Sequence, residues 1–170
     1  QTKAATKAIA SYHGPVYLRF GRPKWPVFIP EDMPFEIGKA LMLNEGKDVT
    51  IFATGHMVWK AIEAGHALAE KGIDAEVVNL HTIKPLDRDA ILASAKKTGC
   101  VVSAEEHQMN GGLGDSIAQL LGRELPTPME YVAVNDSFGE SGTPDQLLEK
   151  YGLTTAAIVA AAERAIARKA

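Results

Sequence analysis

The chain has 170 residues, of which 46% are hydrophobic and 23% charged, with a formal net charge of −3. This balance suits one domain of ordinary size plus an appendage, since single domains hold roughly 100 to 200 residues; it excludes a charge-rich disordered tail and a general affinity for nucleic acid, which needs a basic face. No apolar run reaches the roughly 20 residues that cross a bilayer, so no membrane partner is expected, and the single Cys100 rules out an internal disulfide framework and points to a reducing, cytoplasmic setting.

Residues 1–10 predict the tail of a helix, and residues 15–20 a lone strand with no sheet upstream to receive it. With no initiator methionine and no charged-then-apolar leader, this opening predicts a chain that starts inside a larger protein. Residues 21–34 hold Pro23, Pro26, Pro30 and Pro34 and predict an extended linker, because each proline removes an amide donor and restricts its predecessor. Residues 35–44 alternate weakly and predict a strand, ended by a turn at 44–47.

A regular series follows. Residues 49–53 form a short apolar strand that feeds a helix with apolar spacing at Val58, Ile62, Gly65 and Ala69. After Gly72, residues 75–80 supply the next strand. Asp87 can cap a helix through Ile91, Leu92 and Ala95 to Lys97, with Gly99 as its stop and residues 100–104 as a third strand. Residues 115–121 are helical and 129–134 a strand. Thr143-Pro144-Asp145-Gln146 is a capping box with proline at the first helical position. Two short helices close the chain, one ending at Gly152 and one capped by Thr154, whose packed face carries Ile158, Val159, Ala162 and Ile166.

Strands alternating with helices at this spacing need right-handed crossovers and two covered sheet faces. The fold expected over residues 35–170 is therefore a three-layer α/β/α domain with a mostly parallel sheet, in which residues 35–44 lie antiparallel at an edge.

Three clusters are candidates for chemistry. Gly111-Gly112-Leu113-Gly114-Asp115 follows a strand and opens a helix, where amides can converge on an anion. It lacks a dinucleotide or P-loop spacing, and Asp115 puts a negative charge at the helix start, so a tight turn with close packing is the plainer role. Glu105, Glu106 and His107 stand at the C-terminal end of a strand, where open α/β sheets hold ligands. Adjacent carboxylates on a strand point to opposite sides, and no second histidine sits at ligand spacing, so a polar rim or interface contact is expected there. Arg19, Arg22 and Lys24 cluster around Gly21; a guanidinium fork suits phosphate, and solvated linker charge is the plain alternative. Cys100, in an apolar run, reads as a buried small hydrophobe rather than a nucleophile.

Six segments, in order, carry a family resemblance: residues 14–22 (GPVYLRFGR), 35–39 (FEIGK), 48–58 (DVTIFATGHMV), 78–87 (VNLHTIKPLD), 104–107 (AEEH) with 111–114 (GGLG), and 136–142 (DSFGESG) with 147–153 (LLEKYGL). Together they resemble the C-terminal part of the transketolase superfamily of thiamine-diphosphate enzymes, above all the C-terminal section of split, two-subunit transketolases. The likeness spans nearly the whole chain.

The resemblance implies that residues 1–34 are the end of a pyrimidine-binding domain plus a proline-rich linker, and that residues 35–170 are the C-terminal domain. It implies an enzyme that moves two-carbon ketol units between sugar phosphates, with thiamine diphosphate and magnesium bound by portions this chain lacks. Partners implied are the N-terminal, diphosphate-binding portion and the pyrimidine-binding portion, joined in a homodimer that the C-terminal domain holds together. Arg22 matches the family arginine that grips the substrate phosphate, with Arg19 a lesser candidate; no catalytic, metal or cofactor residue carries over, and the chain alone should be inactive. The rivals are 1-deoxyxylulose-5-phosphate synthase or a 2-oxo acid dehydrogenase E1 β subunit, and a free-standing module binding a small effector at the Gly111 turn or beside Glu106.

Overall fold

The computed structural model describes residues 1–169; Ala170, the last residue of the expected domain, lies outside them. The chain runs through α1 (Thr2–Ala10), β1 (Leu41–Asn44), β2 (Val49–Ala53), α2 (Met57–Glu70), β3 (Ala75–Asn79), α3 (Arg88–Thr98), β4 (Val101–Gln108), α4 (Leu113–Glu124), β5 (Met129–Val134), α5 (Pro144–Lys150) and α6 (Thr155–Ala167). The predicted punctuation is in place. The Asp87 carboxylate accepts from the Ala90 amide, and Gly99 ends α3 in a left-handed conformation. Thr143 and Gln146 complete the reciprocal capping box of α5, and Thr154 caps α6.

The five strands lie in the order β1-β3-β2-β4-β5, all parallel except β1, which pairs antiparallel with β3 at the edge. Strands β2 and β3 are buried at every position, and their side chains divide by alternation between two cores. Val49, Ile51, Ala53 and Val77 pack with α2 and α6 on one face. Phe52, Val78 and Val101 pack with α3 and α4 on the other. This is the three-layer α/β/α sandwich expected from the pattern.

Three elements differ from expectation. Residues 15–20 form no regular structure and join no ladder; the contact the segment makes is through a side chain, Arg19 donating to the Glu106 carbonyl of β4. Only Leu41–Asn44 of the predicted 35–44 strand pairs. Upstream, side chains take the backbone donors: the Gly38 amide donates to Thr82 Oγ1 at 3.2 Å and the Ala40 amide to Asp87 Oδ2 at 2.8 Å. The third difference is length, for β4 continues to Gln108 through a register shift after Ala104, which carries Glu105 and Glu106 along the strand.

Candidate functional site

From β2 the chain moves to β3 on one side, then crosses back to β4 on the other, so the C-terminal ends of β2 and β4 flank the point where the winding reverses. Crevices at such points are where open α/β sheets take ligands. Here the chain's own residues 19–25 lie across it. His56, just beyond β2, points one ring nitrogen at β4: His56 Nδ1 lies 2.7 Å from Glu106 Oε2. A carboxylate only accepts, so Nδ1 carries the proton and Nε2 is turned away from Glu106. The far edge of the ring meets Gly21, where any Cβ would overlap Nε2 and Cε1. Trp25 stacks on the same ring, with centroids 4.8 Å apart and 28° between planes.

Both predicted arginines belong to this segment. Arg19 reaches β4, its Nη1 donating to the Glu106 carbonyl oxygen at 3.4 Å. Arg22 is exposed, as is Lys24. Downstream, Phe28 packs against Trp59 of α2 at 5.5 Å between ring centroids, and Ile29 is buried.

The glycine turn has a different role from Glu106. Glu105 is 2% exposed, and its carboxylate accepts from the Leu113 amide at 2.7 Å and the Gly114 amide at 2.8 Å. The helix N-terminus thus does converge on an anion, but that anion is a side chain of the neighbouring strand. The turn is built around it, since a Cβ on Gly112 would run into that carboxylate, and one on Gly114 would lie 2.7 Å from Tyr131 and 2.8 Å from Ser103. Glu105 is therefore an internal helix cap, not the rim or interface residue expected. His107 Nδ1 lies 2.8 Å from the Gln108 carbonyl and 4.0 Å from Glu105 Oε2, the oxygen that accepts from Leu113.

At the end of β3 a second histidine meets the start of the domain. His81 stacks on Phe35, with centroids 4.3 Å apart, and its Nδ1 lies 3.1 Å from Thr82 Oγ1. Burial holds its pKa below the ordinary 6.5, because the imidazolium would lose hydration. The stability this contributes is present above that ordinary value and is lost as pH falls, since the unfolded chain then takes the proton more readily. Urea midpoints should therefore fall between pH 7.5 and 5.5, and fall less in His81→Phe, which keeps the stacking without the proton. An unchanged slope in that variant would show that His81 does not contribute. Cys100 is buried, with its thiol pKa pushed up by that burial, which suits the packing role expected.

The structure thus brings Arg19 and Glu106 together, leaves Arg22 exposed on the same segment, and separates Glu105 from Glu106 by the alternation of the strand. His56 and Trp25 carry no sequence signal of their own. No spacing rule could join them, since residues 21, 25, 56 and 106 meet only through the crossover.

The family model described as the C-terminal domain of transketolase matches residues 38–158. A 6-deoxy-6-sulfo-D-fructose transketolase subunit of Clostridium sp. is 48% identical over 169 residues, 99% of this chain and 52% of that protein. The 1-deoxy-D-xylulose-5-phosphate synthase 1 of Geobacter sulfurreducens is 40% identical over 168 residues, 96% of this chain and 26% of that protein. Among solved structures, a split-gene transketolase, an inactive β4 tetramer, superposes with a TM-score of 0.96 at 49% identity, over 99% of this chain and 55% of that one. This superposition takes in α1 and the segment at the crevice as well as the sandwich. The chain spans about half the length of the split-transketolase proteins it matches, and with a matched domain, a matched fold and close relatives it belongs to the transketolase family.

Proposed function

We propose that the chain is the C-terminal portion of a split-type transketolase, acting with a diphosphate-binding portion to move two-carbon ketol units between sugar phosphates, as in the pentose phosphate pathway. The observation that carries this is the exposed Arg22, next in the chain to Gly21, which is pressed against His56 just beyond β2; its planar guanidinium can grip the terminal anion of a sugar. The relative named for a 6-sulfo sugar supports an anion of this kind, since sulfonate and phosphate oxygens present the same acceptors. Exposed apolar groups, Tyr17, Phe20, Val27 and a Phe138 that is 97% exposed, favour a role in holding the active dimer together.

Transketolase-family enzymes use thiamine diphosphate. The residues present here do not fit it: the amides of the glycine turn are engaged by Glu105, and among the described residues no group of three or more His, Cys, Asp or Glu gathers for a metal. Cofactor and magnesium belong to the partner portion in this reading, and the chain's part is binding and assembly. The effector-module reading loses its two seats, because Glu105 fills the turn and Gly21 with His56 fills the cleft beside Glu106. The synthase reading is less favoured because the split-type transketolase subunit is the more similar of the two, 48% identical against 40%. Among the described residues no helix is long and apolar enough to cross a membrane, and a cytoplasmic setting fits the reduced, buried Cys100.

The test is complementation. The chain alone should give no ketol transfer from a ketose phosphate to an aldose phosphate, and turnover should appear when the diphosphate- and pyrimidine-binding portions are supplied. Turnover by the chain alone would overturn the proposal, and so would consumption of pyruvate in place of ketose phosphate.

A further inference from the structure

Residues 21 and 25 touch the same imidazole, one on each side of Arg22. Gly21 is pressed against the Nε2–Cε1 edge of His56 so closely that no side chain fits at that position. Its backbone is not in the left-handed region, so the space taken by His56, not backbone strain, is what excludes a larger residue. Trp25 stacks on the ring face. The ring cannot swing away, because Nδ1 is tied to Glu106 Oε2 at 2.7 Å. Glu106 acts a second time through its backbone, its carbonyl accepting from Arg19. One strand residue and one imidazole thus hold the segment from 19 to 25, while the group at its centre, the Arg22 guanidinium, stays exposed.

A segment without regular structure or ladder partners has many conformations to lose when it binds a ligand. Fixing it beforehand removes that cost from substrate binding. The crevice at the winding reversal, where such folds take a ligand, is given over to this clamp.

We infer that His56 and Glu106 are positioning residues for substrate: together they clamp Gly21 and Trp25 so that Arg22 is set in advance to take the terminal anion of a phosphorylated sugar. The inference rests on the phosphate-binding reading of Arg22 and adds that the C-terminal domain, through His56 and Glu106, determines how tightly that arginine binds. Neither residue touches the reacting atoms.

Two measurements test it, and the first is independent of any activity. Trypsin can cut the 170-residue chain after Lys24, beside Trp25. His56→Ala and Glu106→Ala should speed that cut about tenfold, because cleavage follows the population of the opened segment. Glu106→Gln, which keeps an oxygen for Nδ1–H, should stay near the parent rate. An unchanged rate in His56→Ala, or equal acceleration in Glu106→Gln and Glu106→Ala, would overturn the clamp.

The second measurement uses the complemented enzyme. His56→Ala and Gly21→Ala should raise KM for a phosphorylated aldose about tenfold with kcat within about twofold, the mark of lost preorganised binding. KM for a short unphosphorylated aldehyde should not move, and Glu106→Gln should again retain the parent values. The Arg22→Ala variant separates the two ideas. If Arg22→Ala weakens phosphorylated substrates while His56→Ala and Gly21→Ala do not, the positioning role is wrong and the arginine's role stands. If Arg22→Ala has no selective effect, the reading of Arg22 fails, and the inference built on it fails too.

Discussion

Arg22→Ala in the complemented enzyme is expected to lower kcat/KM for phosphorylated substrates about a hundredfold, the loss of roughly 2.7 kcal/mol that one charge-assisted, two-pronged contact can supply. Catalysis on unphosphorylated acceptors and binding of the thiamine cofactor should persist, since in the proposed reading Arg22 contacts only the substrate's terminal anion. Arg22→Lys should recover part of the loss, keeping the charge but not the planar fork, and so remain about tenfold down. Steady-state kinetics with matched phosphorylated and unphosphorylated acceptors decide it. Equal losses for both would mean that the arginine supports the fold or the reaction generally and does not read the anion.

The second large effect concerns stability. Glu105→Ala should destabilise the domain by about 2 to 6 kcal/mol, because it leaves two buried amides, those of Leu113 and Gly114, without an acceptor at roughly 1 to 3 kcal/mol each. In thermal unfolding this is a drop of about 4 to 24 °C for a chain of this size. Glu105→Gln should fall between, because its amide NH2 faces one N–H where an oxygen had accepted. A loss below about 1 kcal/mol in Glu105→Ala would mean that water or a shifted turn satisfies these amides instead. A companion change, Gly112→Ala, places a methyl group against the same carboxylate and should destabilise in the same direction.

These two acids illustrate how far a sequence can be read. Adjacent in the chain, Glu105 and Glu106 were separable by strand alternation alone, and the structure does send them to opposite sides, one to a helix N-terminus and one to an imidazole. Their destinations were not legible. Glu105 looked like a rim residue because its cap lies eight and nine residues ahead, beyond a turn whose path no local rule gives. The glycines at 112 and 114 were rightly read as close-packing glycines, but what packs against them, the Glu105 carboxylate, Tyr131 and Ser103, comes from two strands that meet only in the sheet.

Strand prediction failed where pairing decided the outcome. Residues 15–20 have the apolar, β-branched and aromatic character of a strand, yet no neighbour receives them, and a strand without a ladder is only extended chain. Residues 35–40 have strand-like alternation as well, but Thr82 and Asp87 take the amides of Gly38 and Ala40, and the Glu36 carbonyl takes that of Lys39. The edge position and antiparallel sense of β1 could be anticipated. Its neighbour β3, rather than the strand next in sequence, could not, because the amides of Lys47 and Asp48 both donate to the Asp74 carbonyl and carry the connection past the start of β3.

By itself, then, the sequence determined the element types from residue 49 onward, the caps at Asp87, Thr143 and Thr154, the layered α/β/α class and the family, because periodicity, capping and ordered motifs are local and survive without coordinates. Only the tertiary structure decided that Gly21, Trp25, His56 and Glu106 form one clamp beside Arg22, since residues up to 85 positions apart meet there through the reversal of the sheet's winding, and contacts of that range are made by topology.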